Sequence, residues 1–268
     1  LAFKPLAPTT PPSSKEPPLP HHSPTMGSSF SSSYTELRPV NAERLGRVLA
    51  CDRLQRILLV GCLHAGKSTV ASMMWQVIRG DFGAFVPVTL SGSAPFGVGA
   101  PAGTPITLAS DEVSARGKRI IDSRHAPSDP AEFEAYFRAL IRGESGSEPV
   151  DAVILVFEGH KVVSSDANGA HQEAVRQMVV QLNKICANSA DGTVRKIPLA
   201  ALGTHADAVG MSVERATVLA QTYTMINSTY MMEGYHGVGG HEVRRKDRAD
   251  TVLLKILDSF ARFYAAHS

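Results

Sequence analysis

The stretch LLVGCLHAGKSTVASMM at residues 58–74 constrains this chain more than any other. An apolar run breaks into a turn bounded by Gly61 and Gly66, after which Lys67, Ser68 and Thr69 open a helical pattern. A short continuous apolar run reads as a buried strand, and the spacing after it reads as a helix with one apolar face. Strand, glycine turn and lysine-hydroxyl helix start form the context in which Gly61-x-x-x-x-Gly66-Lys67-Ser68 holds a phosphate. Glycine lets successive N–H groups curl inward toward phosphate oxygens, and the helix N-terminus adds the positive end of its dipole. Lys67 is expected to reach the outer phosphates, Ser68 to ligate Mg²⁺, and Gly61, His64, Ala65, Gly66 and Thr69 to line the turn. His64 fills a permissive position of the pattern. A turn that merely joins strand to helix is the plain alternative, and the complete lysine-hydroxyl ending argues against it.

Around this turn the chain alternates apolar runs with helical patterns. Strands are expected at 56–61, 104–110, 117–123, 151–159, 196–204 and 223–229, and helices at 67–80, 129–143, 169–189, near 212–221 and at 248–267. Such alternation predicts an α/β fold, a doubly wound three-layer P-loop sandwich around a mostly parallel sheet. The runs 104–110 and 117–123 are joined only by DEVSAR, too short for a crossover helix, so that pair is expected to be the one antiparallel pairing. Residues 1–33 hold eight prolines and a serine tract and are expected to be a disordered tail. A lead-in helix, opened by Asn41 as its N-cap, is expected within residues 34–56, ahead of a nucleotide domain at 57–268.

Charge and cysteines narrow the function classes. With 27 basic against 25 acidic residues, a broad electrostatic surface for nucleic acid is not expected. Cys51, Cys62 and Cys186 have neither zinc-ligand nor disulfide-framework spacing, which suits a reducing, cytoplasmic setting. No apolar run reaches the roughly 18 residues of a membrane helix. Met26 and Gly27 begin MGSSFS, so membrane attachment by myristoylation is expected only if translation starts at Met26. His236 and His241 lack credible further partners for a metal.

After the expected strand at 196–204, Thr204-His205-Ala206-Asp207 resembles the Asn/Thr-Lys-x-Asp element of guanine-specific P-loop proteins, which implies that the aspartate accepts hydrogen bonds from N1–H and the 2-amino group of guanine. Adenine offers neither donor. His205 offers a flat ring to cover a purine face.

Taken in order, the phosphate turn, IIDSRH, DAVILVFEG and GTHAD resemble the G1, G3 and G4 elements of a translation-factor-class GTPase. The chain is also similar to the interferon-induced protein 44 group of immunity-type GTPases. That likeness rests on the lead-in helix, the DSR form that begins at Asp122, and the ending INSTY…ADTVLLKILDSFARF. It spans about residues 41–266. The resemblance implies a G domain that binds GTP or GDP with Mg²⁺, with a homodimer or an effector protein as possible partner.

The same resemblance assigns further residues. Asp122 is expected to hold Mg²⁺ with Ser68, and Thr104, with Thr107 second, to complete the metal shell from the 91–105 loop. Ser228 stands where the weak G5 element would bond the base. His125 replaces the usual glycine after Asp122, and Ala126 has no group to orient water. Hydrolysis is then expected to be slow or partner-assisted, with His125 placing water and Arg124 as an internal arginine finger, although a solvated surface arginine is the plainer reading of Arg124. Two other readings stay open: an inactive nucleotide-binding scaffold, and a P-loop ATPase or small-molecule kinase, favoured only if Asp207 is unrelated to the base. Glu158 could mimic a second acid as in such ATPases, although a structural role is its plainer reading.

Overall fold

The computed structural model describes residues 32–62, 64–82, 111–123, 126–127, 129–143, 148–163, 169–187, 196–233 and 241–267, with the side chains of 32–38, 111 and 241–246 set aside. The elements are α1 (Ser32–Ala50), β1 (Arg56–Gly61), α2 (Lys67–Arg79), β2 (Asp111–Ala115), β3 (Lys118–Asp122), α3 (Pro130–Arg142) and β4 (Ala152–Glu158). They continue as α4 (Gly159–Val163), α5 (Gly169–Ala187), β5 (Leu199–Thr204), a 3-10 turn (Ala206–Val209), α6 (Val213–Thr224), β6 (Thr229–Met231) and α7 (His241–Ala266). The six strands form one sheet in the order β2-β3-β1-β4-β5-β6. All pairings are parallel except β2 with β3.

Alternation along the strands sorts the core into two layers. Ile57, Leu59, Ile154, Val156, Ala200 and Leu202 face Met73 and Met74 of α2 and the α7 stripe Leu253, Leu257 and Phe260. Leu58, Val60, Val153, Leu155 and Phe157 face Phe133 and Phe137 of α3 and Val179, Leu182 and Ile185 of α5. Covered on both sides, β4 is buried along its whole length, as a central parallel strand must be. Each fully buried aliphatic or aromatic side chain in these layers contributes about 1.5–3 kcal/mol.

Local chemistry sets the element ends. Asp129 caps α3 by accepting from the amides of Ala131 at 2.9 Å and Glu132 at 2.8 Å, with Pro130 in the first turn. Ser212 caps α6 through the amide of Arg215 at 3.3 Å. The Asp151 carboxylate accepts from the amides of Gln55 at 2.8 Å and Arg56 at 2.7 Å, which pins the start of β1 beside β4. Its backbone carbonyl accepts from the Tyr264 hydroxyl at 2.5 Å. Replacing Asp151 with Ala is expected to cost about 2 kcal/mol, since two hydrogen bonds to a charged acceptor are lost. Chemical denaturation checks this, and Asn at the same position should recover part of the loss.

Four expectations need correction. Asn41 lies inside α1, which already begins at Ser32. It is buried, and its side chain donates to Thr251 Oγ1 on α7 at 3.1 Å, so its polar group serves helix packing and caps nothing. The antiparallel partner of β3 is Asp111–Ala115, within the segment expected to be the connector. Val113 and Ala115 are buried while Glu112 and Ser114 are exposed. A two-residue turn, Arg116-Gly117, closes the hairpin at φ 48° and 78°. The run 104–110 lies outside the described residues, as do residues 1–31 of the expected tail.

The strand expected at 223–229 is instead the end of α6, a turn, and β6 at Thr229–Met231. Thr224 and Thr229 share a 2.7 Å hydroxyl contact, and Thr229 donates to Ile226 O at 2.7 Å, so these β-branched residues build a buried turn. The helix expected at 248–267 already starts at His241. Against the other side of α7, α1 is held by Arg47 Nε donating to Asp258 Oδ1 at 2.6 Å. Among the described residues no helix is long and apolar enough to cross a membrane.

Candidate nucleotide site

Every parallel strand ends at the same edge of the sheet, and the expected phosphate turn springs from β1 there. At Gly61 the backbone passes so close to β4 that a Cβ would lie 2.0 Å from Val156 O. Only glycine fits. Gly66 precedes α2 and gives it no side-chain cap, and the N-terminus of that helix points its dipole toward the turn. Lys67 is buried, and its Nζ donates to Gly61 O at 3.3 Å and Cys62 O at 3.1 Å. Burial pushes the ammonium below the ordinary lysine range, and the Asp122 carboxylate opposes that shift. Phosphate is the natural partner for a cation held in this way.

Ser68 Oγ donates to Asp122 Oδ2 at 2.5 Å, and both residues are buried. β1 and β3 are neighbours with Leu59 opposite Asp122, so the first turn of α2 and the end of β3 converge. A hydroxyl and a carboxylate at the mouth of a phosphate turn are hard oxygen donors, which fit Mg²⁺. Thr69 follows half-buried in the same turn. Ala65 is fully buried, whereas His64 is exposed at φ 64°, a conformation uncommon outside glycine. That exposure fits a permissive turn position.

The segment after β3 runs back over the turn. Ser123 N donates to Leu59 O at 3.2 Å and Ala126 N to Gly61 O at 3.1 Å. Arg124 and His125, expected to act on the outer phosphate, lie outside the described residues, as do Thr104 and Thr107.

The segment expected to read the base is tied directly to the expected phosphate turn. Thr204, the last residue of β5, is buried, and its Oγ1 donates toward Ala65 O at 3.0 Å and Phe157 O at 3.2 Å. Sequence reasoning gave Thr204 a place in the base-reading motif and missed this clasp. Its signal was a hydroxyl in an otherwise apolar strand end. Thr204→Val is expected to lower stability against chemical denaturation by about 1 kcal/mol, the scale of one buried hydrogen bond. Thr204→Ser should leave it close to wild type.

His205 follows in a left-handed conformation at φ 58° and opens the 3-10 turn that carries Asp207. Asp207 is exposed. It borders a cavity of about 550 Å³ whose other walls include Met211, Met232, Glu233, Arg248 and Lys255. None of the phosphate-turn residues lines that cavity.

Two sequence assignments change. Ser228 precedes β6, and its carbonyl accepts from Ala201 N at 3.0 Å, near the start of β5. β5 and β6 are parallel and Ala201 pairs with Thr229, so Ser228 leads into β6 short of the strand-end edge where Thr204 lies. Met232 stands at the site edge instead, accepting from Ala206 N at 3.0 Å and donating to Gly203 O at 2.8 Å. Glu158 is buried and ion-paired with Lys161. β1 separates its strand from β3, so it is no neighbour of Asp122 and does not serve as a second acid there. Among the described residues no group of three or more His, Cys, Asp or Glu gathers to hold a metal.

No protein-family model matches the chain, and no curated protein matches it. Solved structures do. An ADP-ribosylation-factor-like GTP-binding protein, a small COPII coat GTPase from Encephalitozoon cuniculi solved with GDP, is similar at 11% identity and a TM-score of 0.47, covering 88% of this chain and 92% of that one. A GTP-binding protein from Sulfolobus solfataricus solved with GDP is similar at 13% identity and TM-score 0.40, over 89% of this chain and 68% of that one. The Arl6 small GTPase of Trypanosoma brucei, solved with the analogue GppNp, is similar at 13% identity and TM-score 0.39, over 80% and 98%. At these identities each is a likeness in chain path.

Proposed function

We propose that this chain binds a guanine nucleotide with Mg²⁺ at the strand-end edge of its sheet and hydrolyses the triphosphate slowly or with a partner's help. The clasp from Thr204 to Ala65 O carries the reading, because it makes phosphate turn and base-reading turn one unit. Lys67 and the N-terminal amides of α2 bind the phosphate tail, His205 lies along the purine, and Asp207 accepts from guanine. Ser68 and Asp122 would hold Mg²⁺, which when bound offsets charge on the phosphate oxygens. The motif order supports placing the chain in the translation-factor class, near the interferon-induced protein 44 group.

A second reading, a nucleotide-holding interaction protein without turnover, is favoured by Ala126. It offers only a methyl group, and its amide is bonded to Gly61 O. Fluorescent GTP and ATP analogues titrated with and without Mg²⁺, followed by a phosphate-release assay, test both. GTP preference with release above background supports turnover, and tight GTP binding without release supports the second reading. ATP preference, or no binding, contradicts both.

A further inference from the structure

The turn after β4 forms another wall beside the base-reading loop, and it carries a histidine that no role above uses. His160 is the second residue of α4. Its ring meets that of His205 with centroids 5.7 Å apart and planes at 88°. Perpendicular packing of this kind is favoured between aromatic rings. The His160 Nδ1 is buried with no hydrogen-bond partner among the described residues, so a hydrogen bond at that atom is not what holds the ring there.

The backbone under both rings has little room to move. Glu158 and Thr204, which precede the two turns, are paired in register. A Cβ at Gly159 would lie 2.3 Å from Met231 Cε and 2.8 Å from Thr204 O, so the first turn is pressed against β5 and β6. His205 is fixed at φ 58°, and the amide of the next residue, Ala206, donates to Met232 O at 3.0 Å.

We propose that His160 is a positioning residue that holds the His205 imidazole as a flat platform for the purine. This rests on the guanine-nucleotide reading above. A ring already packed on a neighbour loses little further rotamer freedom when a base lies against it, so the platform raises affinity by being set in advance. Stacking reads the face of any purine, whereas Asp207 reads one edge. His160 therefore acts on affinity without acting on base choice.

The test titrates GDP and inosine diphosphate, which lacks the 2-amino group, into the full chain and its variants. His160→Ala and His160→Gln should weaken both nucleotides by the same factor, about threefold to tenfold, the worth of one aromatic pair. His160→Phe, which keeps a ring without the imidazole nitrogens, should stay within about twofold of wild type, below that range. Combining His160→Ala with His205→Ala should weaken binding no further than His205→Ala alone, because the two act as one unit.

Unchanged GDP affinity in His160→Ala overturns the proposal, as does a Phe variant as weak as Ala. A larger loss for GDP than for inosine diphosphate also overturns it, since the effect would then be on the guanine edge. Failure of the unaltered chain to bind GDP overturns the functional reading itself. Intact binding with an indifferent His160 overturns this inference alone.

Discussion

Exchanging Asp207 for Asn is expected to weaken GTP binding about a hundredfold, the discrimination that a paired, charge-assisted contact to a base supplies. A carboxylate accepts from both N1–H and the 2-amino group, while an amide presents one acceptor and places its NH₂ against a donor. The same change should improve binding of xanthosine triphosphate, whose 2-oxo group can accept from that amide. Asp207 is exposed in the unliganded chain, so thermal stability should stay close to wild type. Competition titrations with the two nucleotides and a melting curve check all three outcomes. Equal loss of both nucleotides would point to a disturbed turn.

Lys67→Met is expected to weaken GTP and GDP binding by two or more orders of magnitude, since a buried cation facing phosphate acts at short range in a low dielectric. Arg should not rescue it, because a planar guanidinium does not fit where a slender ammonium reaches Gly61 O and Cys62 O. Stability should move the other way. The folded chain holds Lys67 below its ordinary pKa through burial. Between that lowered value and the ordinary one, the unfolded chain therefore binds more protons than the folded chain. Stability rises with pH across this window, and below it the charged lysine is a standing cost. The methionine variant should thus melt no lower than wild type without nucleotide, and it should lose the stabilisation that GDP gives the wild type.

The strand, turn and helix around Gly61 were legible in the sequence, because β1 is apolar, Gly61 allows a backbone approach that excludes a Cβ, and the helical spacing starts at Lys67. The central strands were equally legible, since β1 and β4 are apolar throughout and their burial follows directly. The edges of the sheet were not. β2 alternates small and polar residues and depends on the Arg116-Gly117 turn for its pairing, so it looked like a connector.

β6 spans only three residues, and its neighbours Thr224, Ile226 and Thr229 have strand-like side chains engaged in a turn. That displacement sets Ser228 before β6 rather than at its end. The contacts that join the two halves of the site, Thr204 to Ala65 O and His160 to His205, link residues far apart in the chain. No local pattern announces either of them.

The most direct test of the account is a calorimetric titration of the full chain with GDP and, separately, ADP in the presence of MgCl₂. The expected result is saturable GDP binding at one site per chain, with ADP at least about a hundredfold weaker, as a carboxylate facing the wrong purine edge requires. Equal affinity for the two nucleotides, or no binding of either, would contradict it.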